Sequence, residues 1–285
     1  MRIGCFVESY NFTQKQEVQT LRIFSETAKR MGHEFELRGK EILQEMDVYD
    51  SVFIRATTDP LFTAYTVSRL AEEMGKRVID DSESIRICSN KIAVYYKLKK
   101  ANIPMPETRI VYRMDELEHA AEELGYPVVV KSPNSRFSLY VEKANNFTEL
   151  SAIVKRFMRR SKAVLLQEFM PTRFDWRIGV LEGEAIYSCK YLIPKGGWRI
   201  RDYIGNKKVW GNVIAIKLEN LPKKLRKLAE DAANCIGNGL YGIDIKEYSG
   251  NYYVIEVNDN PTIMHGCEDA KNPEIYEKII EALSN

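Results

Sequence analysis

The stretch VIEVNDNP, residues 254–261, carries an apolar run into Glu256, Asn258 and Asp259 just before Asn260 and Pro261. Acids and amides at the end of a strand are held by a rigid element, which suits a metal site and equally an ordinary turn. The residues before it, GLYGIDIKEY-SGN-YYVIEV, read as a hairpin. If Ser249, Gly250 and Asn251 all form the loop, Tyr248 pairs with Tyr252 and Asp244 falls opposite Glu256, on the face Asn258 shares. A loop one residue shorter would flip this and set Asp244 opposite Val257. Gly250 favours the longer loop, because it can take a left-handed bulge position. Carboxylates facing each other across a hairpin repel. A divalent cation removes that penalty, and Asp, Glu and Asn offer only oxygen ligands, which suits Mg²⁺ rather than zinc. Pairing of Asp244 and Glu256 with lysines such as Lys246 on a solvated face would remove it too.

Other residues could complete a phosphate site. Lys131 ends the apolar strand PVVVK, where an ammonium can meet a phosphate as a point charge. The loop after it, SPNSRFS, offers hydroxyls and backbone N–H groups but no glycine. Gln167 and Glu168 end the apolar strand LLQEF, where freed backbone groups and a carboxylate can read an adenine edge. Asp175 can accept from ribose hydroxyls. Arg177 shares its strand face, and Lys190 returns on the next strand; a basic pair there would stabilise a transferring phosphoryl group. Each position also has a plain structural reading, as a polar strand end or exposed hairpin face. Trp176 is expected in the core, and Lys91 inside a helix.

The elements that must hold these residues fall into two patterns. Strands at Arg2–Glu8, Phe35–Leu37, Val52–Arg55 and Arg77–Ile79 alternate with helices at Gln14–Met31 and Pro60–Met74, the second capped by Asp59 and Gly75. This predicts an open α/β layer over residues 1–82; ESYNFTQ after the first strand excludes a dinucleotide fingerprint. A third helix over Ser84–Lys100 leads to ANIPMPET, a linker with two prolines. Beyond it the pattern is α+β. Strands at RIVYR, YPVVVK and AVLLQEF alternate with helices at Asp115–Leu124 and Thr148–Arg160, over residues 83–170. Residues 171–285 hold the hairpin DWRIGVL-EGEAIYSCKYL, a long basic loop from Pro194 to Asn212, a helix at Leu221–Ile236, the acidic hairpin and a C-terminal helix from Pro273.

With 285 residues, 45% of them hydrophobic, the chain can bury a sizeable core. A net charge of +2 gives no electrostatic case for nucleic acid or membrane. The basic clusters RRSK (159–162) and KKLRK (223–227) are read as solvated helix faces. Cys5, Cys88, Cys189, Cys235 and Cys267 are odd in number and scattered without a CxxC, as expected of reduced thiols in the cytoplasm. The start MRIGCFVES lacks a signal-peptide run, and no apolar stretch is long enough for a membrane span.

Lys91, PVVVK, QEF, DWRIGVL, YGIDIKE and VIEVNDNP, in this order and spacing, resemble the ATP-grasp superfamily, most closely its RimK-type branch of carboxylate–amine (glutamate) ligases. The resemblance covers about residues 80–270, and IRATT near Arg55 and IDDSESIRICSNK resemble the part that precedes the ATP-binding unit. It implies two α+β subdomains sandwiching ATP behind the α/β domain. It also implies ATP phosphates on Lys91 and Lys131, adenine beside Gln167, Glu168, Phe169 and Met170, and ribose on Asp175. Mg²⁺, or Mn²⁺ in its place, is expected on Asp244, Glu256 and Asn258, with Arg177 and Lys190 steadying the γ-phosphate and an acyl phosphate. The implied reaction forms an amide or peptide bond, with an amino acid, peptide or protein as substrate.

Two departures stand out. The phosphate-covering loop reads SPNSRFSLY where the founding ligases have glycines, and the basic stretch from Lys195 to Lys208 aligns poorly, so substrate choice is expected to lie there. TIMHGCED after the metal site can also touch substrate, with His265 a candidate. A kinase that stops at phosphoryl transfer and a nucleotide-binding regulatory protein are the competing expectations. The short chain leaves room for a partner or a second copy to complete the site.

Overall fold

The computed structural model describes residues 1–134, 140–204 and 207–285. Ser135 to Leu139 of the loop expected over the phosphates, and Gly205 and Asn206 of the basic stretch, lie outside the described residues.

β1 (Arg2–Phe6), β2 (Glu34–Arg38), β3 (Ser51–Ile54) and β4 (Arg77–Ile79) form a parallel sheet in the order β2-β1-β3-β4. Successive side chains point to opposite faces. Ile3, Cys5 and Phe53 therefore pack on α1 (Lys15–Arg30), and Phe6, Val52 and Ile54 on α2 (Thr63–Glu73). Burial on both faces explains the nearly unbroken apolar runs. α2 starts later than expected, because Asp59 accepts from the Leu61 N–H (3.0 Å) and makes a turn instead of a cap. The expected third helix is two, α3 (Ser82–Cys88) and α4 (Lys91–Lys100). Asn90 is extended between them, and its side chain accepts from the N–H groups of Ile92 (2.9 Å) and Ala93 (3.2 Å). Lys91 thus opens a helix instead of lying within one.

β5 (Thr108–Val111), β6 (Val128–Lys131), β7 (Val141–Ala144) and β8 (Val164–Glu168) form an antiparallel sheet in the order β5-β8-β6-β7. α5 (Leu117–Leu124) and α6 (Phe147–Phe157) cover the face bearing Val128, Val130, Val164 and Leu166. By alternation Val129, Lys131, Leu165 and Gln167 line the other face. RRSK follows α6 instead of lying on it, and Arg160 rests over the Tyr140 ring.

The third sheet is built from β9 (Phe174–Leu181) and β10 (Glu184–Leu192), turning at Glu182-Gly183 as expected. The long loop is not featureless. It carries a two-stranded ribbon, β11 (Arg201–Ile204) with β12 (Lys207–Trp210), and leads into β13 (Val213–Ile216), an edge strand on β10 that the sequence did not reveal. β14 (Leu240–Tyr248) and β15 (Asn251–Asp259) complete the antiparallel order β13-β10-β9-β14-β15. α7 (Lys223–Asn234) covers one face, against Trp176, Ile178, Ile243, Ile245 and Val257. The KKLRK residues Arg226 and Lys227 pair along α7 with Glu230 and Asp231. α8 (Ile275–Ser284) returns to the first sheet beside α1, where the Tyr276 and Phe24 rings meet edge to face at 4.8 Å.

The acidic hairpin reaches its expected pairing by another route. Its loop is Ser249-Gly250 alone, both with positive φ (49° and 75°), and Tyr248 pairs with Asn251. That turn would set Asp244 against Ile255. A bulge between Asp244 and Ile245 shifts the register by one residue, so Asp244 does face Glu256.

Candidate active site

On the face of the third sheet away from α7, Leu181, Tyr187, Cys189 and Leu240 pack with α8 and the first sheet, a polar row lies beside them, and strand register explains which residues reach it. Arg177 pairs with Asp244, and Asp244 with Glu256, so all three share a face. Asn258 lies two residues along from Glu256, opposite Gly242. Arg177 grips Asp244 with both ends of its guanidinium: Nε donates to Oδ1, and Nη2 to Oδ2 at 2.9 Å. Asn258 Nδ2 donates to the same Oδ2 at 3.1 Å. Gly242 makes room for this arrangement, since a Cβ there would sit 2.7 Å from Pro261 and 3.1 Å from Arg177 Cδ.

A second sheet faces this row. Lys91 Nζ reaches Glu256 Oε1 at 2.7 Å from the start of α4. The Lys91 N–H donates to the Pro133 carbonyl at 2.9 Å, fastening α4 to the segment after Lys131. Lys131 is 8% exposed at the end of β6. Asp175 accepts from Lys246 and, at 3.0 Å, from the Thr172 hydroxyl. The carboxylates are therefore matched one to one, Asp244 with Arg177, Glu256 with Lys91 and Asp175 with Lys246. The like-charge penalty is met by bases, although Lys246 serves Asp175 and not the hairpin pair.

The protonation pattern follows from burial and from these neighbours. Burial works against ionised Glu256, yet the ammonium groups of Lys91 and Lys131 hold its carboxyl below the usual range. Burial pushes Lys131 down to about 8, with Glu256 opposing and Lys91 and Lys246 adding to the shift. Burial likewise pushes Asp244 up, against the pull of Arg177.

The expected adenine residues end β8. Gln167 Nε2 donates to Thr108 Oγ1 (2.9 Å), and the Glu168 N–H to the Glu107 carbonyl (2.8 Å), tying this strand end to the start of β5. Met170 is buried. The Phe169 ring meets Trp198 at 6.0 Å between centroids, and Lys143 Nζ lies 4.6 Å from the Phe169 centroid. Arg199 Nη1 donates to the Val141 carbonyl. The basic loop of the third sheet thus crosses to β7 of the second, a contact that residue types alone did not suggest. Between the two sheets Lys91, Lys131, Gln167 and Glu256 line a cavity of about 30 Å³.

Lys190 does not join this group. It pairs with Trp176 in register, and alternation places both on the face opposite Arg177. Its ammonium lies 4.2 Å from the Phe174 centroid and 4.6 Å from that of Trp176, the latter in the core as expected. The β10 residue near Arg177 is Tyr191, whose ring centroid is 5.2 Å from the guanidinium carbon and whose hydroxyl donates to buried Glu268. His265 is held within its own loop, with Nδ1 2.8 Å from Asp269 Oδ2.

The end of β15 is fixed from the first sheet. Asn260 Oδ1 accepts from Arg55 (2.7 Å), Asn260 Nδ2 donates to the Ala56 carbonyl (2.7 Å), and the Asn260 N–H donates to Asp80 (2.7 Å). IRATT and IDD thereby position the chain immediately after Asn258.

A family model described as the RimK-like ATP-grasp domain matches residues 88–283. The chain belongs to the RimK-like ATP-grasp family. It is 28% identical over 243 residues to the glutamate–LysW ligase ArgX of Sulfolobus acidocaldarius, covering 83% of this chain and 82% of that protein. It is 30% identical over 270 residues to the coenzyme gamma-F420-2:alpha-L-glutamate ligase of Methanocaldococcus jannaschii, covering 92% and 86%. The fold matches the ATP complex of the D-alanine–D-alanine ligase of Bacillus anthracis, with TM-score 0.75 at 16% identity over 99% of this chain and 95% of that one. This RimK-like protein is an ATP-dependent carbon–nitrogen ligase of the carboxylate–amine type. No helix among its described residues is long and apolar enough to cross a membrane.

Proposed function

We propose that the protein activates a carboxylate as an acyl phosphate and joins it to the amine of an amino acid, using ATP and Mg²⁺. The observation that carries this reading is the row Arg177–Asp244–Glu256 with Asn258 on one sheet face, met by Lys91 and Lys131 from the other side. A carboxylate is a poor acyl donor because oxide leaves badly. Its oxygen attacks the γ-phosphorus, the bond to the bridging oxygen breaks and ADP departs. The amine nitrogen then attacks the acyl carbon, phosphate leaves and the nitrogen sheds a proton.

The chain's own residues bind and neutralise. Lys91 and Lys131 take the phosphates, Arg177 the γ-phosphoryl group as it transfers, Asp175 the ribose, and Gln167 to Met170 the adenine. The side-chain oxygens of Asp244, Glu256 and Asn258 are hard ligands suited to Mg²⁺ or Mn²⁺. Among the described residues no three His, Cys, Asp or Glu side chains cluster as a complete metal cage. Two carboxylates and one amide leave the rest of such a cation's shell to phosphate and water. When bound, the ion supplies charge neutralisation to the transferring phosphoryl group. Glutamate in the names of both relatives supports an amino acid as the amine, and LysW in one of them supports a small carrier protein as the acyl partner. The free thiols of all five cysteines support a cytoplasmic setting. Amine-dependent ADP release tests the reading; ADP formed equally well without any amine would instead indicate a kinase.

Lys131 provides a pH test. Its buried ammonium loses its proton near pH 8, well below its ordinary 10.5. Affinity for ATP is therefore expected to fall as pH rises from 7.5 to 9, and Lys131→Arg, which stays charged, should flatten that dependence. The folded state also binds fewer protons here than the unfolded chain between about 8 and 10.5. The cost of burying this charge is therefore complete below pH 8 and fades as pH rises through that window. Lys131→Met should raise Tm at pH 7 while weakening ATP binding, as read by thermal melts with and without nucleotide.

A further inference from the structure

Arg55 follows β3 at the carboxyl-terminal edge of the parallel sheet. Open α/β sheets take ligands in the crevice outside that edge. The residue is 6% exposed. Its Nη1 donates to Asn260 Oδ1 at 2.7 Å and to the Pro261 carbonyl at 3.0 Å, and its guanidinium carbon lies 5.6 Å from the Phe53 ring centroid. These partners are neutral. Among the described residues no carboxylate lies within ion-pairing reach, and Nε and Nη2 have no hydrogen-bond partner yet are not sealed from solvent. The backbone around it is held by neutral and committed groups: Asn11 donates to the Arg55 carbonyl (3.1 Å), and Asp80 accepts from the Asn260 N–H (2.7 Å). A buried charge is costly unless paired. Arg177 contrasts with it, since Asp244 occupies both ends of its fork. Both guanidinium groups bear on the Tyr187 hydroxyl, where they oppose the stronger upward push of burial. Asn260, which Arg55 holds, lies two residues beyond Asn258, whose amide donates to the Asp244 carboxylate of the Arg177 row.

We propose that Arg55 anchors a carboxylate of the amino-acid substrate, in the crevice between the edge of the first sheet and the Arg177 face of the third. Its open N–H groups match a carboxylate fork, while its Nη1 contacts fix the fork against Asn260. This rests on the ligase reading for the identity of the ligand, but the fit of an anion to Arg55 does not require turnover.

The test is equilibrium binding of single α-amino acids, L-glutamate first, and of their α-amides, with Mg²⁺ and a non-hydrolysable ATP analogue present. Wild type, Arg55→Gln, Arg55→Lys and Asn260→Ala are compared. Losing a charge-assisted pair weakens binding by about 10- to 100-fold. Arg55→Gln should weaken the acid by that factor, leave the amide and the nucleotide within about twofold, and so erase the preference for acid over amide. Arg55→Lys should restore part of the preference, and Asn260→Ala should keep it. That pattern in a protein that releases no ADP would support the anion site while removing the ligase reading. Binding of no free amino acid to wild type would overturn the proposal. So would an unchanged preference in Arg55→Gln, or equal losses of acid, amide and nucleotide in Arg55→Gln and Asn260→Ala, which would make Arg55 only a structural pin.

Discussion

Asp244→Asn and Glu256→Gln are each expected to lower Mg²⁺-dependent ADP release by about 10²–10³-fold or more, the scale on which removal of a transition-state charge partner acts. Both side chains sit on one face of β14 and β15, opposite one another and beside Asn258. Each amide keeps the shape and loses the charge that a hard cation needs. The fold should survive. Asn at 244 still offers its carbonyl to Arg177, and Gln at 256 still accepts from Lys91. Far-ultraviolet dichroism should therefore stay near wild type while the Mg²⁺ titration flattens, with a lowered Tm in Asp244→Asn, where the Arg177 guanidinium loses its carboxylate. Glu256→Asp, which shortens the reach, should shift that titration to higher Mg²⁺ without abolishing it. Normal turnover in both amide variants would remove the metal assignment.

Arg177→Met should produce a second large loss, of different character. The guanidinium is charged, buried and bidentate on Asp244. Removing a fixed cation from a transferring phosphoryl group costs about 10²–10³ in kcat, with a smaller change in KM for ATP. It also strands Asp244, for which only the Asn258 amide remains as a donor among the contacts described above. Breaking one partner of a buried pair costs about 3–5 kcal/mol. Tm should therefore fall in Arg177→Met and recover in the double variant with Asp244→Asn, while activity does not recover. Recovery of activity in the double variant would show that Arg177 only balances Asp244. Equal stability of single and double variants would show that the pair is not coupled.

How much of this is legible in the sequence depends on what each signal measures. The parallel layer and the hairpins follow from apolar runs and glycine turns, which report local geometry. A three-residue loop predicts Asp244 opposite Glu256, whereas Ser249-Gly250 turns alone and the bulge restores the pairing. The shorter turn and the bulge offset each other by one residue, and no propensity foretells a bulge. Lys190 lies on the face opposite Arg177 because one residue along a strand changes the face, and its place in the sequence of β10 does not reveal register. The break at Asn90 is set by its side chain capping the Ile92 and Ala93 N–H groups, while the helical pattern on either side reads as one helix. β13, with only VIAI to mark it, owes its place to pairing with β10. The contacts of Arg55 with Asn260 and of Arg199 with Val141 join residues 205 and 58 positions apart, which spacing cannot show.

Everything proposed for the site serves ligation through an activated carboxylate. Its most direct test is ADP release from Mg·ATP with pooled amino acids, peptides and candidate carrier proteins, coupled to mass spectrometry of the products. The expected result is ADP in step with a product lighter by one water than its two parents, and no ADP when the amine is withheld. ADP accompanied only by a phosphorylated acceptor, or ATP binding with no ADP from any pool, would contradict it.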